Sequence, residues 1–203
     1  SDTTIMGVIN REGQYGVNFD LSATLDRPNG SYSFSIDRTM SMRGFTSRAN
    51  VSRDFELPRG AEVSIGLGIT ELTNNSVHPT ARVSYSRDTA QGGTLNFSLN
   101  RSATVNSDDD DVLRTVLSSS YSTSLPRGAR WSLSGRLTNS EFVRGTDPDI
   151  TSARISVRYS RPLTEDWDLS AGANWEVSRE DGADNDIDNR VFLSLERRFV
   201  WRR

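Results

Sequence analysis

Along most of this chain every second residue is apolar, and the positions between are small or polar. Tyr15, Val17, Phe19, Leu21, Ala23 and Leu25 alternate with Gly16, Asn18, Asp20, Ser22 and Thr24. A period of two is that of a β-strand with one apolar face. The pattern returns in Tyr32, Phe34 and Ile36, in Val63, Ile65, Leu67 and Ile69, and in Trp131, Leu133 and Leu137. Helical periodicity is almost absent. The connections sort into two kinds. Segments 26–30, 57–60, 88–93, 126–129 and 162–166 are short and rich in Pro and Gly, the chemistry of tight turns. Segments 72–79, 102–111, 139–149 and 179–189 are longer and rich in Asp, Asn and Ser, while those at 11–14 and 37–43 are shorter.

A near-repeat sets the register. Leu57-Pro58-Arg59-Gly60-Ala61 and Leu125-Pro126-Arg127-Gly128-Ala129 lie 68 residues apart and each leads into an alternating strand. Four strand units fill that spacing, so 203 residues hold twelve. In an up-and-down order the two kinds of connection fall at opposite ends. The expectation is an all-β, antiparallel up-and-down arrangement, with residues 1–203 as a single domain.

One apolar face per strand fits a sandwich, with the apolar faces packed inside, or a transmembrane barrel, with those faces toward lipid. Three features favour the barrel. Several runs reach the ~9–11 residues that cross a bilayer. Aromatic residues, among them Tyr32, Phe55, Tyr121, Trp131, Tyr159, Trp167 and Trp175, fall on the apolar face, many near strand ends where a membrane girdle lies. The polar face carries Ser, Gly, Thr and Asn with interspersed charges. Its predicted lumen-lining charges are Asp20, Arg48, Asp54, Glu56, Glu62, Arg82, Arg114, Arg136, Arg154, Arg158, Asp168, Glu176, Glu196 and Arg198. Seven of each sign predict ion pairing across a confined bore. Ser47, Arg53 and Arg197 fall on the predicted lipid face and count against the barrel, although Arg53 and Arg197 lie near strand ends, where long side chains snorkel.

The chain resembles bacterial outer-membrane β-barrels over essentially its whole length. Its last strand, with Val191, Leu193, Leu195, Phe199 and Trp201, is similar to the family's C-terminal assembly signal, departing from it at Arg197 and in the two arginines after Trp201. The resemblance implies an outer-membrane location, short periplasmic turns, longer outward loops, contact with outer-membrane lipid and lipopolysaccharide, and handling by the barrel-assembly machinery.

Composition narrows this further. Apolar residues are only 34%, which suits a chain with no packed interior better than a soluble core. No apolar run of ~20 residues offers a transmembrane helix. The start at Ser1-Asp2-Thr3-Thr4 suits a mature chain after leader cleavage. A net charge of −3 gives no reason to expect nucleic-acid binding. There is no cysteine, hence no disulfide or thiolate site, and all 24 basic residues are arginine, for which codon bias is the leading explanation and the planar fork, suited to pairing in confined polar spaces, the second.

Candidate chemistry is sparse. The single histidine, His78, is expected in a loop beside Pro79, with Ser76 near it in sequence; a Ser/His hydrolase is the minor reading. The acidic runs at 108–111 and 184–188 read as solvated loops, with weak calcium binding as the minor reading, because the second lacks the glycine and distant Glu of an EF-hand. No cofactor, metal or phosphate-loop motif is expected. The functional expectation is a narrow pore for small polar or charged solutes and no enzymatic activity. The alternative is a plugged scaffold that binds an envelope partner, and a lipid-modifying enzyme ranks last.

Overall fold

The computed structural model describes residues 3–12, 16–41, 44–72, 75–90, 92–105, 111–143, 148–164 and 166–197. They form twelve strands: β1 (Thr3–Glu12), β2 (Gly16–Arg27), β3 (Gly30–Ser41), β4 (Gly44–Leu57), β5 (Ala61–Leu72), β6 (Val77–Asp88), β7 (Gly93–Val105), β8 (Asp111–Ser124), β9 (Arg130–Phe142), β10 (Ile150–Pro162), β11 (Trp167–Glu180) and β12 (Asp186–Arg197). All belong to one sheet whose spatial order is the sequence order, each strand antiparallel to the next. This is the wall of an up-and-down barrel. Strands of 10 to 14 residues match the tilted length of a bilayer crossing.

Several strands extend beyond their apolar alternation. Residues 37–41, read from the sequence as part of a polar link, belong to β3, and β6 begins at Val77 inside the segment read as a loop. The reason is that ladder hydrogen bonds use only the backbone, so pairing continues where side chains turn polar.

The two copies of the repeat make the same turn. Arg59 and Gly60 have φ of 67° and 69°, and Arg127 and Gly128 have 64° and 73°. Two successive left-handed residues reverse the chain, and glycine takes the second position without a Cβ penalty. At the neighbouring turn Gly30 has φ 125°, and a Cβ there would lie 1.9 Å from the Asp54 carbonyl oxygen.

Among the described residues, most of the apolar face is exposed. Leu67 is 61% exposed, Ile69 53%, Val51 54%, and on β12 Val191 and Leu193 are 86% and 76%. Such a surface far exceeds the apolar patch a soluble monomer tolerates. Two apolar faces meeting in a sandwich core would bury these side chains, and a single sheet has no second face to offer. The small buried apolar cluster, Leu72, Ala103 and Leu113, sits instead at the end carrying the longer connections.

The rims of the apolar face are amphipathic. At the short-turn end the Arg53 guanidinium lies 4.6 Å from the Tyr32 ring centre and 4.2 Å from that of Phe55, and Arg197 lies 5.5 Å from that of Trp167. The two arginines that argued against a lipid-facing surface are thus laid over aromatic rings, a favourable arrangement at a membrane interface. Tyr121 and Trp131 meet edge to face at 5.3 Å on the same rim. At the opposite end Arg101 bonds Glu141 at 3.3 Å on the outward face, between the pairs Leu99–Leu117 and Ala103–Leu113.

Candidate functional site

The polar face of the sheet carries the clefts, and its composition follows from register. Directly paired residues of neighbouring strands point to the same side. One row runs Asp20–Asp37–Arg48–Thr70–His78 across β2 to β6. Another runs Ser118–Arg136–Arg154–Glu176–Asp188 across β8 to β12. Alternation along each strand then places Asp20, Arg48, Asp54, Glu56, Glu62, Arg82, Arg114, Arg136, Arg154, Arg158, Asp168, Glu176 and Glu196 on this one face. Arg198, Phe199 and Trp201 lie outside the described residues, whereas Val191, Leu193 and Leu195 line the exposed apolar face of β12.

The surface is open and lined by small polar groups. A cleft of about 570 Å³ runs over Ser84, Ser98, Ser118, Ser120, Ser134 and Ser156, with Arg136 and Arg154 at its side. A second of about 460 Å³ is lined by Asn50, Ser52, Gly66, Gly68, Thr80 and Arg82. At the short-turn end a third is lined by Asp26, Asp54, Glu56 and Glu62, with Arg27 as its one cationic residue. Glycine makes room at particular points: a Cβ on Gly68 would lie 2.1 Å from Asn50 Oδ1, and one on Gly172 would lie 2.6 Å from the Phe192 ring. Phe192 is an inward aromatic that sequence reading passed over; its ring covers Gly172 and lies 5.3 Å from the Arg158 guanidinium.

The expected ion pairing is present at three places on this face. Arg48 bonds Asp37 at 3.1 Å, Arg154 donates to Glu176 through Nε at 3.0 Å, and Arg190 bonds Asp188 at 2.6 Å. Between those pairs, like charges stand directly opposite one another: Asp20 and Asp37, Glu56 and Glu62, Asp168 and Glu196, Glu176 and Asp188, and Arg136 and Arg154. The signs are sorted by strand. On β2 to β5 the inward charges are Asp20, Asp26, Asp37, Asp54, Glu56 and Glu62 against Arg48. On β6 to β10 they are Arg82, Arg114, Arg130, Arg136, Arg154 and Arg158 against Asp88. On β11 and β12 acids return as Asp168, Glu176, Glu180, Asp186, Asp188 and Glu196 against Arg190. Asp186 and Asp188 therefore belong to a strand, and the spacing of oxygen ligands in 184–188 is in part strand alternation.

His78 is a correction to the sequence reading. It lies in β6, opposite Thr70, and is 8% exposed. Its Nε2 is 3.1 Å from Ser76 Oγ and 3.4 Å from Asp111 Oδ2, and Ser76 Oγ donates to the same Asp111 oxygen at 2.5 Å. Asp111 lies 33 residues away from His78 in the chain and is 1% exposed, so no local pattern could have revealed the contact. Ser, His and Asp are the residue types of a nucleophilic triad, but the geometry differs from one. In a triad the carboxylate orients one imidazole nitrogen while the other faces the serine. Here serine and carboxylate meet the same nitrogen, and the serine hydroxyl points at the carboxylate. The three groups form a clasp that ties the β5–β6 connection to the start of β8. Together with Leu72, Leu113 and Val112 it forms the best-buried part of the described molecule.

No protein-family model matches the sequence, and no curated protein matches it. Solved structures do. OmpT, an outer membrane protein of Vibrio cholerae folded in vitro, superposes with a TM-score of 0.53 at 11% identity, over 98% of this chain and 80% of that one. The trimer form of the same protein gives 0.54 at 11% identity, over 98% and 82%. Its loop L8 deletion mutant gives 0.53 at 11% identity, over 98% and 86%.

The fold is that of a bacterial outer-membrane β-barrel. The exposed apolar band and its aromatic rim match the lipid-facing belt of such barrels. The concave polar face is the inner surface of the barrel.

Proposed function

We propose that this outer-membrane barrel is a narrow pore for small polar or charged solutes. The observation that carries the reading is the inner face itself: clefts floored by serine, asparagine and glycine, with arginines and carboxylates directed over them. A structural plug would fill that space with large packed side chains, and among the described residues the inward aromatics are Phe192, against Gly172, and Phe142 at the end of β9. Barrels of eight strands are filled by side chains and those of sixteen or more hold wide channels, so twelve belong to a narrow bore. Single-channel recording in planar bilayers tests the proposal. Discrete conductance steps are the expected result, and silent bilayers with protein correctly folded by gel mobility would overturn it.

A second reading, a closed scaffold, draws on the clasp. Ser76, His78 and Asp111 hold buried polar contacts at the outward-loop end, where a lid would lie. Silent bilayers and a stable envelope protein co-purifying with the barrel are its expected signature.

A further inference from the structure

We infer that the inner surface is bipolar and selects zwitterionic solutes, those with a cationic group and a separate anionic group, over net anions or net cations of equal size. The inference rests on the pore reading and names the solute class for that same site. Like charges directly opposite in a sheet are destabilising, and nothing about the fold requires them. In three of the five pairs an ion pair with a third residue offsets the repulsion, through Arg48–Asp37, Arg154–Glu176 and Arg190–Asp188, whereas Glu56 and Glu62 stand together on an exposed inner face, a placement that serves something other than stability.

Strand order turns this local pattern into a field. The strands follow one another around the wall, so β6 and β8 to β10 form an arginine sector in which the inner face of β7 is uncharged. In a closed up-and-down barrel β11 and β12 adjoin β1, and the acids of β2 to β5 and of β11 and β12 lie on the two flanks facing that sector. A solute in the bore meets guanidinium groups on one side and carboxylates on the other. The arginine sector has a built shelf. Arg136 and Arg154 are direct neighbours over the serine-floored cleft, and Glu176 neutralises only one of them. A carboxylate or phosphate accepts hydrogen bonds from the serine hydroxyls and the Arg136 fork. The opposite locus is the Glu56–Glu62 neighbour pair beside Asp54, which takes an ammonium or guanidinium group. A zwitterion satisfies both at once. A net anion or cation gains one contact and is opposed by the other wall, in the low-dielectric confinement that strengthens both effects.

The test uses the purified barrel in proteoliposomes, with swelling rates for three solutes of nearly equal size: glutamine as zwitterion, glutamate as net anion and lysine as net cation. Glutamine is expected to enter several-fold faster than either. Arg136→Gln, and separately the pair Glu56→Gln with Glu62→Gln, should each erase that preference while swelling persists. These side chains are exposed in the bore, so heat-modified gel mobility should show that both variants fold. Arg87→Gln, on the outward face, serves as the control and should leave the ranking unchanged. Equal rates for the three solutes, or a ranking untouched by both inner-face variants, would overturn the bipolar inference while leaving the pore standing. No swelling with any solute and no conductance overturns both.

Discussion

The hairpins after Leu57 and after Leu125 are nearly the same piece of protein with different inner surfaces. Both turns place an arginine and a glycine in the left-handed region. Both following strands present apolar residues outward, Val63, Ile65, Leu67 and Ile69 in β5, and Trp131, Leu133 and Leu137 in β9. Inward, β5 carries Glu62, Ser64, Gly66 and Gly68, whereas β9 carries Arg130, Ser132, Ser134 and Arg136. Turn geometry and lipid contact constrain the first two surfaces, and the small polar groups of the inner face constrain the third far less. The difference between the copies therefore lies on the inner face. It places one copy in the acidic sector and the other in the arginine sector.

The outer faces should respond alike and strongly. Leu67→Arg sets a charge on the exposed apolar belt and is expected to destabilise the barrel in lipid vesicles by about 2–4 kcal/mol. Leu133→Arg should match it to within about 1 kcal/mol, since both sites face the same hydrocarbon. A large gap in denaturant midpoints would show that the copies sit at different depths.

The clasp belongs to the first copy alone, because β5 leads into Ser76 and His78. His78→Ala removes a buried partner of Asp111 and should cost about 1–3 kcal/mol. Hydrogen exchange should report that loss as faster opening of the β5–β6 connection. Global unfolding without selective local exchange would sink the clasp.

The turns break the symmetry more gently. Gly60→Ala and Gly128→Ala each force a side chain into a left-handed conformation, at about 1–2 kcal/mol. Gly128→Ala should be the worse, because its Cβ would lie 3.1 Å from Pro162 Cγ while nothing lies within 4 Å at Gly60. Equal melting temperatures for the two variants would remove that contact from consideration.

The smallest effect on stability belongs to the inner face. Arg154→Gln breaks a largely solvated ion pair and should change stability by under about 1 kcal/mol. Its measurable consequence is in ion selectivity, read as a shifted reversal potential across a salt gradient. A stability loss comparable to that of Leu67→Arg would mean the pair holds the wall together.

Much of this was legible from alternation. The facing of Leu67 or Ser134 follows from a period of two, and the strand count follows from the 68-residue spacing of the repeat, since both are local properties of an extended chain. Asp37 was missed because a polar strand end and a polar loop look the same when only side-chain periodicity is read. Phe192 was missed because an apolar residue out of phase reads as noise until Gly172 is known to lie beside it.

The clasp and the sorting of charge were decided only by tertiary structure. The signs of Glu62 and Arg136 are visible along the chain, but a balanced list of charges suggested pairing. The register instead sets Glu62 beside Glu56 and Arg136 beside Arg154. His78 and Asp111 meet across 33 residues. Alternation records which side of a strand a residue occupies, which the backbone enforces one residue at a time. Which residue stands opposite on the next strand depends on hydrogen-bond register between separate strands, and that is settled only when the wall assembles.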